Sequence, residues 1–368
     1  MSNEWISEPL AEIAEVLMGQ SPPSSTYNEE GKGLPFFQGK AEFGEIYPVA
    51  AKYCSRPLRV AALNDILLSV RAPVGPVNLS PSQCCIGRGL SAIRGKQPKV
   101  DQMYLFYYLR SIETRLSERG QGSTFGAIGR KDLERIEVPH PISLDVQHRI
   151  ASVLHKAHGI AQKREETNQL TKKTMGSVFL KMFGDPDVNP IGWKINELGE
   201  LTTCLDHRRV PIKESEREIG DTPYYGANGR VGWIKGFIFD EPLLLLAEDG
   251  GNWSKFQKSA YRIRGKSWVN NHAHVLKENG RACLEFLESC LDLSDLTRYI
   301  SGTTRGKLTR GMMDKIKIPT PPIDLQERFV RIAKKLEALQ QLQKEDTQEI
   351  DELFHSLMHK AFSGKLVE

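Results

Sequence analysis

The sequence predicts an α+β protein made of two copies of one module, each a mixed α/β globular domain followed by a long helix. Three observations support this prediction. Short motifs recur in the same order in both halves of the 368-residue chain. The segments that follow two repeated proline motifs share one constant offset, and their apolar residues have the spacing of long amphipathic helices.

The repeated motifs align by subtraction. Pro35-Phe36-Phe37 matches Pro223-Tyr224-Tyr225 at an offset of 188 (223 − 35). The string IEVP at Ile136–Pro139 matches IKIP at Ile316–Pro319 at an offset of 180 (316 − 136). Beyond the prolines the offset is 179, from Gln147/Gln326 to Phe183/Phe362. Length therefore varies inside the domain but not across the following segment, which predicts a helix of fixed length.

Each half divides into a domain and a helix. The first domain is rich in Gly, Pro and aromatic residues, with short apolar runs such as Ile66–Val70 and one clear helix near Met103–Arg119. The second domain repeats this pattern in Leu243–Ala247 and in a helix near Ala282–Leu291. The expected boundaries are 1–142 for the first domain, 143–184 for its helix, 185–322 for the second domain and 323–368 for the second helix and tail.

The long segments have the spacing of coiled-coil helices. In the second segment one 4-3 repeat runs through Leu325, Phe329, Ile332, Leu336, Leu339, Ile350, Leu353 and Leu357, interrupted at Gln343 and Asp346. Subtracting 179 gives Val146, Ile150, Val153, Ala157 and Ile160, with Arg164 and Thr167 at the interruption. We expect the two helices to pack on each other in antiparallel order. The alternative is that each amphipathic helix lies on its neighbouring domain.

Composition narrows the class of protein without giving a function. The formal net charge of +4 permits nucleic-acid binding but does not require it. The six cysteines contain no C-x-x-C pair and no signal peptide precedes them, which favours a cytoplasmic protein over a disulfide framework. The longest apolar run, Leu243–Ala247, is too short to cross a membrane.

Four strings give the chain a family resemblance: Met18–Asn28 (MGQSPPSSTYN), Leu34–Gly39 (LPFFQG), Trp268–Leu276 (WVNNHAHVL) and Ala361–Leu366 (AFSGKL). With the duplicated layout they resemble the DNA-specificity subunit of type I restriction-modification enzymes. The resemblance implies two target-recognition domains, each of which reads one half of a split, asymmetric site in double-stranded DNA, and a helix pair that sets the gap. It also implies assembly with two methyltransferase (modification) subunits and, in the full enzyme, with restriction subunits.

The residues themselves favour a non-catalytic role. An adenine methyltransferase of the known type needs an (N/D)-P-P-(Y/F) loop to hold the flipped base. The nearest strings, at Asn189–Gly192 and Asp185–Asp187, do not fit it. Gly87–Ala92 matches G-x-G-x-x-A, but the following Arg94–Pro98 does not predict the helix that would bind a phosphate. We expect no catalytic residue and no cofactor.

A metal site and a nuclease motif are also disfavoured. His272 and His274 have the spacing of neighbours on one face of a strand, but no third ligand is apparent, so we expect no metal. Pro186-Asp187 is not followed by (D/E)-x-K in the second domain, which favours an interdomain turn.

Basic and polar residues on loops near glycine are the candidates for DNA contact, because phosphate neutralisation needs cations and base edges need hydrogen-bonding side chains. The alternative for each is a solvated charge or a polar turn. The candidates are Gln20, Ser21, Lys40, Arg71, Arg88, Arg208, Arg209, Asn228, Arg230, Asn252, Lys255, Asn270, Asn271, His272, Arg305 and Lys307.

Two other classes of function remain open at this point. One is a self-contained DNA methyltransferase or nuclease with diverged motifs. The other is a duplicated protein-interaction adaptor that binds no nucleic acid. The missing cofactor loop argues against the first, and salt-dependent binding of random duplex would argue against the second.

Overall fold

The computed structural model describes residues 4–121, 126–302 and 306–366. The chain forms two compact units, each of which takes a part of both long helices. Unit 1 is Met1–Arg164 with Asp346–Glu368, and unit 2 is Glu165–Glu345. The repeated Gly-(Ser/Thr)-Thr loops lie largely in 122–125 and 303–305, outside the described residues.

Unit 1 mixes short strands and helices. Its strands are β1 (Trp5–Pro9), β2 (Ala14–Met18), β3 (Tyr27–Asn28), β4 (Leu34–Phe37), β5 (Tyr53–Cys54), β6 (Val60–Ala61), β7 (Ile66–Ser69), β8 (Val77–Leu79), β9 (Cys84–Ile86), β10 (Leu90–Gly95) and β11 (Glu137–Pro141). Its helices are α1 (Leu10–Ile13), α2 (Gln102–Ser111), α3 (Glu113–Gln121), α4 (Arg130–Glu134) and the first part of α5 (Leu144–Phe183). The helix predicted near Met103–Arg119 is thus two helices, which meet at Ile112.

Unit 2 has the same kind of alternation. Its strands are β12 (Lys194–Glu197), β13 (Thr202–Cys204), β14 (Thr222–Gly226), β15 (Gly229–Ile234), β16 (Phe239–Asp240), β17 (Leu243–Ala247), β18 (Ala260–Ile263), β19 (Lys266–Val269), β20 (Ala273–Glu278) and β21 (Lys317–Thr320). Its helices are α6 (Leu198–Leu201), α7 (Leu284–Leu293), α8 (Arg310–Asp314) and the first part of α9 (Ile323–Phe362), with the end of α5.

The sheets of the two units have matching strand orders. Strands β1 and β11 pair as β12 and β21 do, and the order β2-β10-β7-β8 is repeated as β13-β20-β17-β18. A parallel pair follows in each unit, β4 with β9 and β14 with β19. Strands β7 and β17 are buried along their whole length, which explains why both have continuous apolar sequences. A duplicated mixed α/β domain is therefore confirmed.

Helices α5 and α9 are each 40 residues long, as the constant offset predicts for equal helices. They contact each other inside each unit. In unit 1 the rings of His158 and Phe354 lie 5.7 Å apart, and Arg164 pairs with Asp346. In unit 2 Gln343 donates to Thr171, and Phe179 packs on Phe329. Within each unit the residue number on α5 rises as the number of its contacting residue on α9 falls, so the contacting segments are antiparallel.

The predicted apolar seam is wrong at four positions. Val153, Ile160, Leu339 and Leu353 are exposed at 40%, 58%, 45% and 57%, whereas Gln343, assigned to the interruption, is buried. In α9 the buried residues Gln326, Phe329 and Ala333 are spaced by three and then four, whereas the predicted seam begins with a step of four and then three. Apolar side chains occupy both candidate stripes, as at Leu353 and Phe354, so spacing alone cannot choose the buried one. Within the described ranges, no helix combines the length and apolar character needed to span a bilayer.

Candidate nucleic-acid interface

The five candidates of unit 1 lie on neighbouring loops. Lys40, Arg71 and Arg88 line one open cavity of about 270 Å³, together with Gln38 and Gly89 among others. Ser21 joins them because its Oγ accepts a hydrogen bond from the Arg88 amide at 3.2 Å, and the amide of its neighbour Gln20 donates to Ile86 O at 3.0 Å. The fold thus collects these residues from four separate loops. We call the cavity and its three cations the unit 1 cleft.

Glycine holds the loops of the unit 1 cleft together. A Cβ on Gly89 would lie 2.3 Å from Gln38 O, and a Cβ on Gly19 would lie 2.1 Å from Gly87 O. Backbone can approach backbone this closely only where no side chain intervenes. Arg88 is the exposed residue in a buried run from Cys84 to Leu90. Its side chain therefore leaves a tightly packed and rigid base.

The unit 1 cleft is positively charged without compensation. In the described part of the chain, no carboxylate lies within ion-pair distance of Lys40, Arg71 or Arg88. The nearby Glu42 carboxylate accepts hydrogen bonds from the Gln38 and Gly39 amides at 3.3 and 3.1 Å. Such a cluster attracts a polyanion, and its guanidinium groups suit both phosphates and guanine.

Three backbone hydrogen bonds fix the frame of this cleft. Gly87 N donates to Phe37 O at 2.8 Å, Val70 N to Gly89 O at 2.9 Å, and Ile128 N to Val70 O at 3.0 Å. Arg71 and Arg88 are each adjacent in sequence to residues of this frame. The backbone hydrogen bonds of the frame, and not contacts of the two side chains, therefore fix the positions of both arginines.

Unit 2 contains the same frame. Asn270 N donates to Tyr225 O at 3.0 Å, Glu248 N to His272 O at 2.9 Å, and Leu308 N to Glu248 O at 2.8 Å. The isolated bridge between Arg71 and Ala127 likewise recurs between Asp249 and Lys307.

Because the frames correspond, positions of the unit 1 cleft have equivalents in unit 2. Lys40 follows Phe37 by three residues as Asn228 follows Tyr225. The frame makes Asp249 and Asn271 the equivalents of Arg71 and Arg88, whereas Asn228 matches Lys40 by sequence offset alone, because Lys40 begins a short 3-10 helix and Asn228 lies in the turn between β14 and β15. At the two arginine positions one backbone arrangement carries two cations in unit 1 and a carboxylate with an amide in unit 2.

Hydrogen bonds tie the polar candidates of unit 2 into one group of loops. Asn228 Nδ2 donates to Gly250 O at 2.9 Å, and Asn270 Oδ1 accepts from His272 N at 2.8 Å. His272 Nδ1 lies 2.9 Å from Asp249 Oδ1. Asn271 is exposed between them. Asn270 thus has the backbone-packing turn role that its sequence also allowed, while Asn228 and Asn271 are exposed.

Two further candidates lie on exposed segments of unit 2. The Arg230 guanidinium stacks 4.4 Å from the ring centroid of Trp233, which is 47% exposed on β15. Asn252 Oδ1 accepts from Ser254 N at 3.2 Å and closes its own turn. The arginine and tryptophan together form a flat cationic surface of the kind on which a base or sugar stacks.

Four other basic candidates of unit 2 are bound to carboxylates. Their shortest ion pairs are Arg208 with Glu241 (2.9 Å), Arg209 with Glu248 (2.6 Å), Lys255 with Asp185 (2.6 Å) and Lys307 with Glu248 (3.0 Å). Arg209 has a side chain only 14% exposed. The hydrogen bond from Lys255 to Asp185 raises the pKa of that lysine. We interpret Arg209 and Lys255 as structural, whereas Arg305 lies outside the described residues.

Three of the groups beneath the unit 2 loops have metal-ligating chemistry. The donor atoms of Asp206, Glu248 and His274 all lie within 4.8 Å of one another. His274 Nδ1 is 2.6 Å from Asp206, and Arg209 contacts both carboxylates. Burial alone would raise the pKa of Asp206, but the hydrogen bonds from His274 and the Val275 amide outweigh it and lower that pKa. The charges are mutually compensated, so we interpret the cluster as an internal ion-pair network.

The strings that resemble a nucleotide-binding loop and the start of a nuclease motif both have structural roles. Gly87–Ala92 leads into strand β10 instead of a helix, so no helix N-terminus faces a phosphate there. Asp185 and Asp187 form a turn that binds Lys255, and Asp187 also binds Arg298 at 2.8 Å.

Gln38 and Asp249 belong to the two sites but were not predicted. Asp249 is the equivalent of Arg71, but offsets change in this region as loop lengths differ, so the correspondence needed the hydrogen bonds of the frame. Gln38 follows the repeated Pro35-Phe36-Phe37 directly, and its place in the cleft became evident only from the folded loops.

Comparisons with known proteins agree with the duplicated architecture. A family model for the type I restriction modification DNA specificity domain matches residues 2–172 and again 190–352. The chain is 50% identical over 158 residues to a Methanocaldococcus jannaschii protein named as the MjaX type I restriction enzyme specificity subunit, which covers 43% of this chain and 37% of that protein.

Two more distant relatives cover more of the chain. The EcoprrI specificity subunit of Escherichia coli is 22% identical over 291 residues, 75% of this chain and 72% of that one. A crystal structure of a type I restriction-modification S subunit from M. genitalium has a TM-score of 0.66 and 18% identity, over 98% of this chain and 96% of that chain, and shows the same fold. The first two curated relatives, however, are matched over only 37% and 38% of their length.

Proposed function

Since the chain belongs to the type I restriction modification DNA specificity family, we propose that it is the non-catalytic subunit that directs modification and restriction subunits to a two-part DNA target. The main support is the frame shared by the two units, which presents Arg71 and Arg88 in one and Asp249 and Asn271 in the other. Two copies with one backbone and different side chains suit a split target with unlike halves.

Each globular domain, in this proposal, reads one half-site, with the division 1–142, 143–184, 185–322 and 323–368 as working boundaries. Helices α5 and α9 act as an antiparallel coiled-coil spacer that sets the unspecified gap. Equal lengths of 40 residues and antiparallel contacts inside each unit support this role.

The proposed protein partners are two modification subunits, one for each copy of the module, and restriction subunits in the full complex. Exposed apolar residues on the long helices suit such contacts. Val153 and Ile160 are seven residues apart on one face of α5, and Leu339 and Leu342 are three apart on α9. We propose a cytoplasmic complex in which the cofactor chemistry belongs to the partners.

Methylation sequencing tests the proposal. Cells that express a partner modification subunit with this chain should methylate a two-part sequence, and cells without this chain should not. The purified chain should bind random duplex with a strong salt dependence, and calorimetry should detect no stoichiometric binding of S-adenosylmethionine. Site-specific methylation that persists without the chain would contradict the proposal.

A further inference from the structure

The unit 1 cleft differs from its unit 2 equivalent in a way that bears on which base each unit reads. At the place of Arg88 unit 2 has Asn271, and at the place of Arg71 it has Asp249. Arginine pairs with the O6 and N7 atoms of guanine through two parallel hydrogen bonds, whereas asparagine pairs in this way with adenine. We infer that unit 1 reads a guanine in the major groove through Arg88. This inference rests on the proposed function and deepens it.

Among the described cations of the unit 1 cleft, Arg88 has the backbone that is held most rigidly for such a contact. Its own amide is bound by Ser21 Oγ, the Gly87 amide by Phe37 O, and the Gly89 carbonyl by the Val70 amide. Three consecutive residues are therefore fixed, and the surrounding glycine contacts leave the backbone no room to shift. A side chain on a rigid base loses less entropy on binding.

The basic side chains around Arg88 suit different kinds of contact with DNA. Arg71 and Lys40 line the same cavity as Arg88 but differ from it in the loop that carries them. Lys40, a compact point charge on a flexible stem, suits a phosphate, and the planar Arg88 fork suits a base edge. In the described part of unit 2, the basic candidates Arg208, Arg209, Lys255 and Lys307 are already paired with Glu241, Glu248 or Asp185.

Modified bases test this inference on the full chain assembled with its modification subunits. Selection from a random duplex library first gives the target. Each guanine is then replaced in turn by 7-deazaguanine, which lacks the N7 acceptor, or by inosine, which keeps both O6 and N7. Affinities are measured for the wild type, for Arg88→Ala, and for Arg130→Ala as a matched control, since exposed Arg130 pairs with Glu134 of its own helix and does not line the cleft.

We expect one guanine, in one half-site, at which 7-deazaguanine weakens wild-type binding by roughly fivefold or more while inosine has little effect. The same replacement should have no further effect on Arg88→Ala, whereas Arg130→Ala should respond as the wild type does. Because alanine also removes a charge, affinity for random duplex at low salt is measured in parallel, and Arg88→Ala should lower it less than affinity for the target.

Equal 7-deazaguanine penalties in the wild type and in Arg88→Ala, or no guanine sensitive to the N7 atom, would overturn the inference while leaving the proposed function intact. A wild-type complex that enriches no sequence from the library would overturn the proposed function itself. N7 sensitivity that Arg88→Ala abolishes in both half-sites would overturn the assignment to unit 1.

Discussion

Gln147 and Gln326, 179 residues apart, make the same contacts at the start of α5 and α9. Both are fully buried. Gln147 Oε1 accepts from the Asp101 amide at 2.7 Å and Gln326 Oε1 from the Cys283 amide at 3.0 Å, and each Nε2 donates to a proline carbonyl at 2.8 Å. Asp101 and Cys283, whose backbone amides the two glutamines bind, are the residues directly before helices α2 and α7. Each glutamine therefore joins a long helix to the helix of its own domain.

Replacing Gln147 by leucine should loosen the start of α2. The Asp101 amide would lose its buried acceptor, and a buried donor without a partner costs about 1–3 kcal/mol. Hydrogen-exchange mass spectrometry should show the loss of protection at 101–111. Gln341→Leu, at an exposed position bound only to Glu345 of its own helix, should change nothing there. Unchanged protection in Gln147→Leu would contradict the role of this joint.

Replacing Arg262 by methionine should destabilise unit 2. The largely buried guanidinium binds Glu285 at 2.9 Å, Glu288 at 2.5 Å, and Glu337 on α9. Removal leaves three carboxylates facing each other, at a cost of about 3 kcal/mol in unfolding free energy. Urea denaturation measures this cost, with Arg264→Met as the control because Arg264 is 61% exposed and pairs with Glu285. Equal midpoints for both variants would refute the prediction.

Asp292 should make stability fall as pH rises. Burial raises the pKa of Asp292 to about 6 from an ordinary value of 3.8, against the effect of the Ala260 and Ser259 amides. A folded pKa above the unfolded one gives stability that is present below about pH 4 and lost as pH rises through 6. Asp292→Asn should therefore be more stable than wild type by about 1–2 kcal/mol at pH 7 and nearly equal to it at pH 4.

Urea unfolding at several pH values gives the Asp292→Asn difference directly. Asp295 provides a control of opposite sign, because hydrogen bonds from Thr297 lower its pKa. Asp295→Asn should lose stability relative to wild type as pH rises from 3 to 5. A difference for Asp292→Asn that is the same at pH 4 and pH 7 would show that burial does not govern this carboxyl.

Lengthening both long helices by one heptad should widen the gap between the half-sites. Seven residues are inserted after Glu166 and seven after Glu345, because in each unit the contacting segments of α5 and α9 are antiparallel and must keep their register. Seven residues add about 10 Å, which corresponds to about three base pairs. Methylation sequencing should show unchanged half-sites with the wider gap. Two-residue insertions should damage assembly, and an unchanged gap in an active heptad variant would refute the spacer role.

Exchanging one domain should change one half-site only. If residues 190–322 are replaced by the equivalent domain of a relative, the first half-site and the gap should be kept, because the unit 1 cleft and the helix lengths are untouched. Methylation sequencing of cells carrying the exchanged chain gives the answer. Changes in both half-sites would mean that the units do not read independently.

Much of the fold could be predicted from repeated motifs. The two domains, the equal helices, and strands such as Leu243–Ala247 follow from apolar spacing and a constant offset, since a fully buried strand and a helix of fixed length each impose a local pattern. The buried stripe of the helices did not follow, because Leu353 and Phe354 offer two apolar alternatives and packing inside each unit decides between them.

The duplication, the matching helix lengths and the candidate cations follow from the amino-acid sequence, because periodicity and residue type are properties of the chain alone. Which cations remain unpaired depends on how the chain folds. Arg88 and Arg209 are alike in sequence, each in a loop segment, yet one is exposed on a glycine-packed base and the other is enclosed by Asp206 and Glu248. Ion pairs between residues some 40 positions apart cannot be read from local pattern, since burial and charge compensation arise only when distant loops meet.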